Sequence, residues 1–263
     1  MTSDNREELV LRSDQDGIAT LTLNRPDQYN ALSEEMITAL QTRLDEIATD
    51  NNIRVVIIAA NGRAFCAGHD LKQMRSHDDK AYFEQLFGDC GQLMTSITNL
   101  PQPIIARVHG VATAAGCQLV ASCDLAIASE KARFAVSGIN VGLFCATPSV
   151  ALARNIGRKK ALEMLLTGDF ISAQQAEREG LINRAVPADE LDQAVDQLAA
   201  SICAKSSAAI HIGKKMFYKQ LEMGIEEAYQ LARDNMACNM QFEDCKEGID
   251  AFMEKRKPAW KGC

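Results

Sequence analysis

Histidine is scarce in this chain: His69, His77, His109 and His211 are the four among 263 residues. They form no HExxH pair and no cluster with metal-ligand spacing, so a zinc hydrolase has no local foundation. No GxGxxG turn and no GxxxxGK loop is present, which removes the dinucleotide and P-loop readings. A GxSxG elbow, which would raise a serine nucleophile above a sheet, is also missing. No apolar run approaches the roughly 18 residues that a membrane helix needs. The opening MTSDNREELVLRSDQDG is polar and acidic. It has neither the basic and apolar regions of a signal peptide nor the Arg-rich, acid-poor character of a transit peptide. The expectation drawn from it is a cytoplasmic location with no membrane partner.

Cysteine is plentiful, with nine residues, but the number is odd and the positions are scattered. No CxxC pair occurs, so the expectation is that most are buried thiols in a reducing compartment, with no metal. A hydrophobic share of 47% with 24% charged residues is that of a globular protein. The formal net charge of −7 argues against nucleic acid or an anionic membrane as partner. The length suits one large domain, or one domain with a helical appendage.

The pattern of the first half alternates. ELVLRS and GIATLTLN read as strands joined by the turn-forming SDQDG. Ser33 stands where an N-cap belongs, ahead of Met36, Ile37, Leu40, Leu44 and Ile47 at helical spacing. IRVVIIAA is a continuous apolar run, the signature of a strand buried on both faces. A helix-compatible stretch from Lys80 to Thr98 then precedes PIIARV. The small-residue segment from Thr113 reads as a helix, and DLAIAS as the next strand. Such alternation predicts an α/β core with parallel pairing. From Pro148 onward helix dominates, interrupted by a brief LINRAV strand.

Two loops share one property. FCAGHDL (Phe65–Leu71) and GVATAAGCQ each leave a β end and pass through small residues into a helix start. Helix starts carry unpaired N–H groups and the positive end of the dipole. Side by side, two such loops could aim two donors at one oxygen, as an oxyanion hole does. The plainer alternative is that Gly68 and Gly116 only permit tight turns.

Six ordered segments together resemble the crotonase, or enoyl-CoA hydratase/isomerase, superfamily. They are LTLNRPDQYNALS, AFCAGHDLK, PIIARVHGVATAAGCQLVASCDLAIAS, GINVGL, LLTGDFISAQQAEREGLINRAVP and FMEKRKPAWKG. Through AAGCQLVASCDLA and GINVGLFCATPS the chain further resembles the branch of enoyl-CoA hydratase domain-containing protein 3. The resemblance implies an α/β fold: a ββα-spiral core with a C-terminal helical trimerisation region. The core, binding acyl-CoA, would span residues 1–200 and the helical region 201–263, in one continuous unit. It implies an acyl-CoA substrate, no cofactor beyond the coenzyme A of that substrate, and a homotrimer or a dimer of trimers. By position, the thioester oxygen would sit between the backbone N–H groups of His69 and Ala115. Gln28, Tyr29, Ala67, Gly68, His69, Asp70 and Leu71 would line the coenzyme A. Phe252 and Lys255 would reach it from a neighbouring subunit.

The family's hydratases carry two glutamates, and here those positions hold Gln118 and Gly138. Hydration removes a proton from water and adds one at the α-carbon, work suited to paired carboxyls. Neither an amide nor a glycine exchanges protons near pH 7. Each acid–base group typically supplies about 10²–10⁴-fold, so hydration is expected to be weak or absent and the true reaction stays open. Gln118 can orient a water or substrate atom, or be a satisfied core amide. Isomerases of the family commonly use a carboxylate near Gly138, so their base is missing as well. His69, Asp70, Cys145 and Glu84 are the ionisable candidates to stand in. Two alternatives remain: a decarboxylase using His69, by likeness to family decarboxylases that also show AGHD, and a non-catalytic acyl-CoA binder.

Overall fold

The computed structural model describes residues 8–263. The chain opens with a hairpin, β1 (Val10–Gln15) and β2 (Ile18–Leu23), and continues through α1 (Glu34–Ala48) to β3 (Val55–Ala60). Then come β4 (Ala64–Cys66), α2 (Leu71–Arg75), α3 (Lys80–Asn99), β5 (Ile104–Val108), β6 (Val111–Thr113) and α4 (Ala115–Ser122). Next are β7 (Leu125–Ser129), β8 (Arg133–Ala135), α5 (Ala146–Asn155), α6 (Arg158–Thr167), β9 (Ile171–Ser172), α7 (Ala173–Glu179) and β10 (Arg184–Val186). Four helices close the chain: α8 (Leu191–Cys203), α9 (Ser207–Gln220), α10 (Ile225–Asn239) and α11 (Glu243–Met253).

Two sheets organise these elements. The larger has the order β1-β2-β3-β5-β7-β10, parallel except for the β1/β2 hairpin. The smaller runs β4-β6-β8-β9, parallel except at β8/β9. A long strand in one sheet is followed by a short one in the other and then by a helix. Repeating that step produces the expected ββα spiral.

The sequence dictates much of this locally. β3 is buried along its whole length because both faces are covered. Val56, Ile58 and Ala60 face the main core, while Val55, Ile57 and Ala59 pack beneath Leu191, Val195 and Ala199 of α8. Ser33 caps α1 by accepting from the Met36 N–H at 3.3 Å, and the five apolar positions read from the sequence are all buried. The hairpin turn is tighter than SDQDG suggests. Strand pairing extends to Gln15↔Ile18, leaving only Asp16 and Gly17, at φ 51° and 79°, in the turn. Two left-handed residues give the twist that joins such strands.

Candidate functional site

Parallel pairing of β4 with β6 (Ala64↔Val111, Cys66↔Ala112) brings the two glycine-bearing loops together at the ends of those strands. Their contact is close enough to exclude side chains. A Cβ on Gly68 (φ 91°) would stand 2.8 Å from the Ala114 Cβ, 3.1 Å from the Thr113 oxygen and 3.2 Å from the Ala115 nitrogen. A Cβ on Gly116 would overlap the Cys66 carbonyl. Gly68 permits a left-handed turn, whereas Gly116, inside α4, permits close approach of that helix to the Cys66 carbonyl; together they let one loop press onto the other. Ala114 itself is held at φ 51° and ψ −120°, a conformation that costs an L-residue of order 1–3 kcal/mol. The Ala114 N–H donates to the Ala135 carbonyl at 3.0 Å and its own carbonyl accepts from Gln118. Among the described residues, the backbone N–H groups of His69 and Ala115 have no protein acceptor.

A third loop lies against the first. Ala67 N–H donates to the Tyr29 carbonyl at 3.0 Å, and Leu32 N–H donates to the Gly68 carbonyl at 2.7 Å. Gln28 and Tyr29 are exposed here, and Leu71, the first residue of α2, is 55% exposed. Gln28, Tyr29, Ala67, Gly68, His69, Asp70 and Leu71 are therefore contiguous in space. Phe252 and Lys255 stand apart from them: α11 packs chiefly on α9, Phe252 is 85% exposed, and Lys255 sits in a left-handed turn after the helix.

The ionisable candidates separate clearly. Asp70 accepts from the Lys72 and Gln73 N–H groups at 3.0 and 3.2 Å, capping α2, and pairs with Arg25 at 2.7 Å. Burial alone would raise its carboxyl, but the Arg25 pairing and the N–H bonds bring it below the usual carboxylate range. Its carboxylate is committed to structure. Glu84 lies on the outer face of α3, 65% exposed and paired with Lys80 at 2.6 Å, so it is no pocket group. The Cys145 thiol is buried and pushed up in pKa by that burial, offset only in part by the Gly138 N–H that it accepts at 3.3 Å. A protonated thiol with that role is a packing group.

His69 differs. Its ring meets Phe87 edge-on, with centroids 5.4 Å apart, and both ring nitrogens are buried without a hydrogen-bond partner among the described residues. Burial pushes its pKa below the usual imidazole value; approach to the Leu32 carbonyl opposes the shift without cancelling it. The sign of the pH effect follows. As pH falls from 7 to 5 the unfolded chain protonates this ring before the folded one does, so stability falls. His69→Gln should flatten the dependence of the urea midpoint on pH across that range. An unchanged slope would mean that the ring is not held neutral.

Gln118 is 4% exposed, and its side-chain oxygen is buried without a partner among the described residues. It lines a cavity of about 1680 Å³ with Met94, Ala121, Thr147 and Ala151. It is no satisfied core amide. Gly138 is enclosed: a Cβ there would stand 2.5 Å from the Leu143 oxygen and 2.7 Å from the Cys145 sulfur. The loop through Leu143 thus fills the space that a side chain at Gly138 would need.

Two residues escaped the sequence reading. Arg25 and Asn30 flank the Gln28–Tyr29 segment and tie it to its neighbours. The signal was a lone asparagine inside the otherwise apolar NAL, which reads as an ordinary loop residue until its burial is known.

The family profile described as "Enoyl-CoA hydratase/isomerase" matches residues 13–263. A Mycobacterium smegmatis crystal structure described as an enoyl-CoA hydratase superposes with a TM-score of 0.95 at 55% identity, covering 97% of this chain and 99% of that one. The human enoyl-CoA hydratase domain-containing protein 3 superposes with a TM-score of 0.94 at 46% identity, over 96% of this chain and 100% of the other. The Xenopus laevis protein of that name is 46% identical over 252 residues, 96% of this chain and 86% of its own length. These likenesses bear out the branch resemblance. They also correct one expectation: the frog, rat, mouse and human relatives are all named mitochondrial, which overturns the cytoplasmic reading. An acidic, polar opening describes one short segment and does not fix the compartment. The chain belongs to the enoyl-CoA hydratase/isomerase family.

Proposed function

We propose that this protein binds acyl-CoA thioesters and polarises their carbonyl group, while hydrating enoyl-CoA weakly or not at all. The thioester oxygen would lie between the His69 and Ala115 N–H groups. The observation that carries the reading is the pair of unpaired N–H groups on two loops locked against each other by Gly68. Fixed donors of this kind need no reorganisation when charge develops on oxygen, and one is typically worth about 10²–10³-fold. Proton transfer has no such support. Gln118 offers an amide oxygen and Gly138 no side chain, while Asp70 and Glu84 are engaged in ion pairs. Gln118 then orients a water or a substrate polar atom. Gln28, Tyr29, Ala67, Asp70 and Leu71 would border the coenzyme A. A homotrimer, alone or paired, would cover the exposed apolar row formed by Ile225, Tyr229 and Met236 of α10 with Met240 just after it, and carry Phe252 and Lys255 toward a neighbouring site.

Turnover of a short-chain trans-2-enoyl-CoA, followed by mass spectrometry as gain of water, should stay near the buffer rate. The same thioester should bind measurably. Efficient hydration would overturn the assignment of Gln118 and Gly138 as groups unable to replace the glutamates.

A second reading is decarboxylation of a malonyl-type thioester. It is favoured by the neutral His69 ring, whose two nitrogens lack partners. Loss of carbon dioxide leaves its electron pair on the enolate that the two N–H groups hold, and a proton then adds at the α-carbon. His69→Ala should abolish such turnover. Decarboxylation at the wild-type rate in that variant would remove the ring from the mechanism. If no thioester is turned over although thioesters bind, the protein is a binder.

A further inference from the structure

The Arg25–Leu32 segment contains two consecutive left-handed residues that are not glycine, Tyr29 at φ 52° and Asn30 at φ 54°. Conformations of this kind persist only where the surroundings over-determine them. Asn30 supplies the constraint. It is fully buried, and its side-chain oxygen accepts from the Arg25 N–H at 2.9 Å. Its amide donates to the Asn61 carbonyl at 2.8 Å and to the Ala64 carbonyl at 2.9 Å. One side chain therefore joins the start of the segment to the end of β3 and the beginning of β4.

The consequence is read one residue before Asn30 and two residues after it. With Asn30 fixed, the Tyr29 carbonyl accepts from Ala67 and the Gly68 carbonyl accepts from Leu32. Asp70 N–H donates to the Leu32 carbonyl at 3.3 Å, and Arg25 closes the outer side through Asp70. Every hydrogen bond that holds the 67–70 backbone on this side runs to residues within five positions of Asn30. The peptide carrying the His69 N–H lies inside that frame.

We infer that Asn30 is a positioning residue: its amide fixes the His69 peptide so that this N–H and that of Ala115 converge on one carbonyl oxygen. The inference rests on the proposed thioester site. Asn30 touches neither substrate nor reacting atoms and acts only through the backbone it holds. Displacing a catalytic donor by about 1 Å can cost on the order of 10²-fold, so the effect should fall on carbonyl recognition before it falls on overall binding.

The test compares two probes on the intact protein: a saturated acyl-CoA thioester, and the CoA thioether of the same chain, which lacks the carbonyl. Wild type should prefer the thioester. Asn30→Asp keeps the acceptor for Arg25 and loses the donors to Asn61 and Ala64, while Asn30→Gly keeps only the left-handed backbone. In either variant the preference should drop by about tenfold or more; any weakening of the thioether, which shares the coenzyme A contacts of the neighbouring Gln28–Tyr29 segment, should be the smaller effect. Isotope-edited infrared spectra should show a smaller red shift of the bound thioester carbonyl. A preference unchanged in both folded variants overturns the inference. Equal weakening of both probes also overturns it, because that is what a merely structural residue would produce. A wild type with no preference for the carbonyl instead defeats the thioester reading itself, and the two failures are thereby distinguished.

Discussion

Replacing Gly138 by glutamate should destabilise the fold by at least ~2 kcal/mol and confer no hydration. The resemblance to the family's hydratases implies a carboxylate at this position, which makes the substitution the obvious way to seek hydration. Geometry opposes it. The first added atom would meet a backbone oxygen at 2.5 Å and the Cys145 sulfur at 2.7 Å, and a backbone atom cannot swing aside as a side-chain tip can. The Gly138 carbonyl also accepts from the Leu143 N–H at 3.0 Å, so the segment closes on itself. Gly138→Ala should already lower the denaturant midpoint, and Gly138→Glu should lower it further. The double variant Gln118→Glu, Gly138→Glu should hydrate no faster than Gln118→Glu alone. Near-native stability with a gain in hydration would mean that the Ser137–Cys145 segment moves at little cost.

The second large effect concerns the helical tail. Lys214→Met should cost about 3–5 kcal/mol, the range for leaving one member of a buried ion pair unpaired. Lys214 reaches in from α9 to donate to Asp124 at 2.6 Å and to the Ile97 and Gln102 carbonyls at 3.0 Å each. Asp124 also accepts from Tyr218 at 2.8 Å and from the Ile104 N–H at 2.6 Å. Burial pushes the carboxyl up and the ammonium down, so each charge depends on the other to remain in place. Urea unfolding at fixed protein concentration measures the loss. Hydrogen exchange should show α9 opening before the sheets do. A change below about 1 kcal/mol would show that water enters and solvates Asp124.

What was legible in the sequence follows from length and pattern. β3 and α1 announce themselves because each carries enough apolar residues to reveal its pattern and its buried faces, while α3 shows only as a helix-compatible stretch. The second sheet does not. β4, β6 and β8 have three residues each, too few for alternation to emerge, and pairing across the spiral decides them. The two loops were visible as glycine-bearing strand ends, whereas their contact depends on the β4/β6 register and could come only from the fold. Gln118 and Gly138 stood out by resemblance, but the closure around Gly138 depends on a backbone oxygen five residues further on, which no side-chain pattern records. Asn30 was overlooked for a related reason: its importance lies in three bonds to backbone atoms, and those partners have no signature in the sequence.

The loop that folds back on Gly138 also constrains how this protein can change. A carboxylate cannot be acquired there by one substitution, because the side chain arrives before there is room for it. The loop must first be lengthened or redirected, by changes that bring no catalytic gain of their own. Single-step selection for hydration would therefore find no gradient at this position. Improved variants should instead arise around Gln118, which faces open volume, so the accessible evolutionary path runs through a one-carboxylate site.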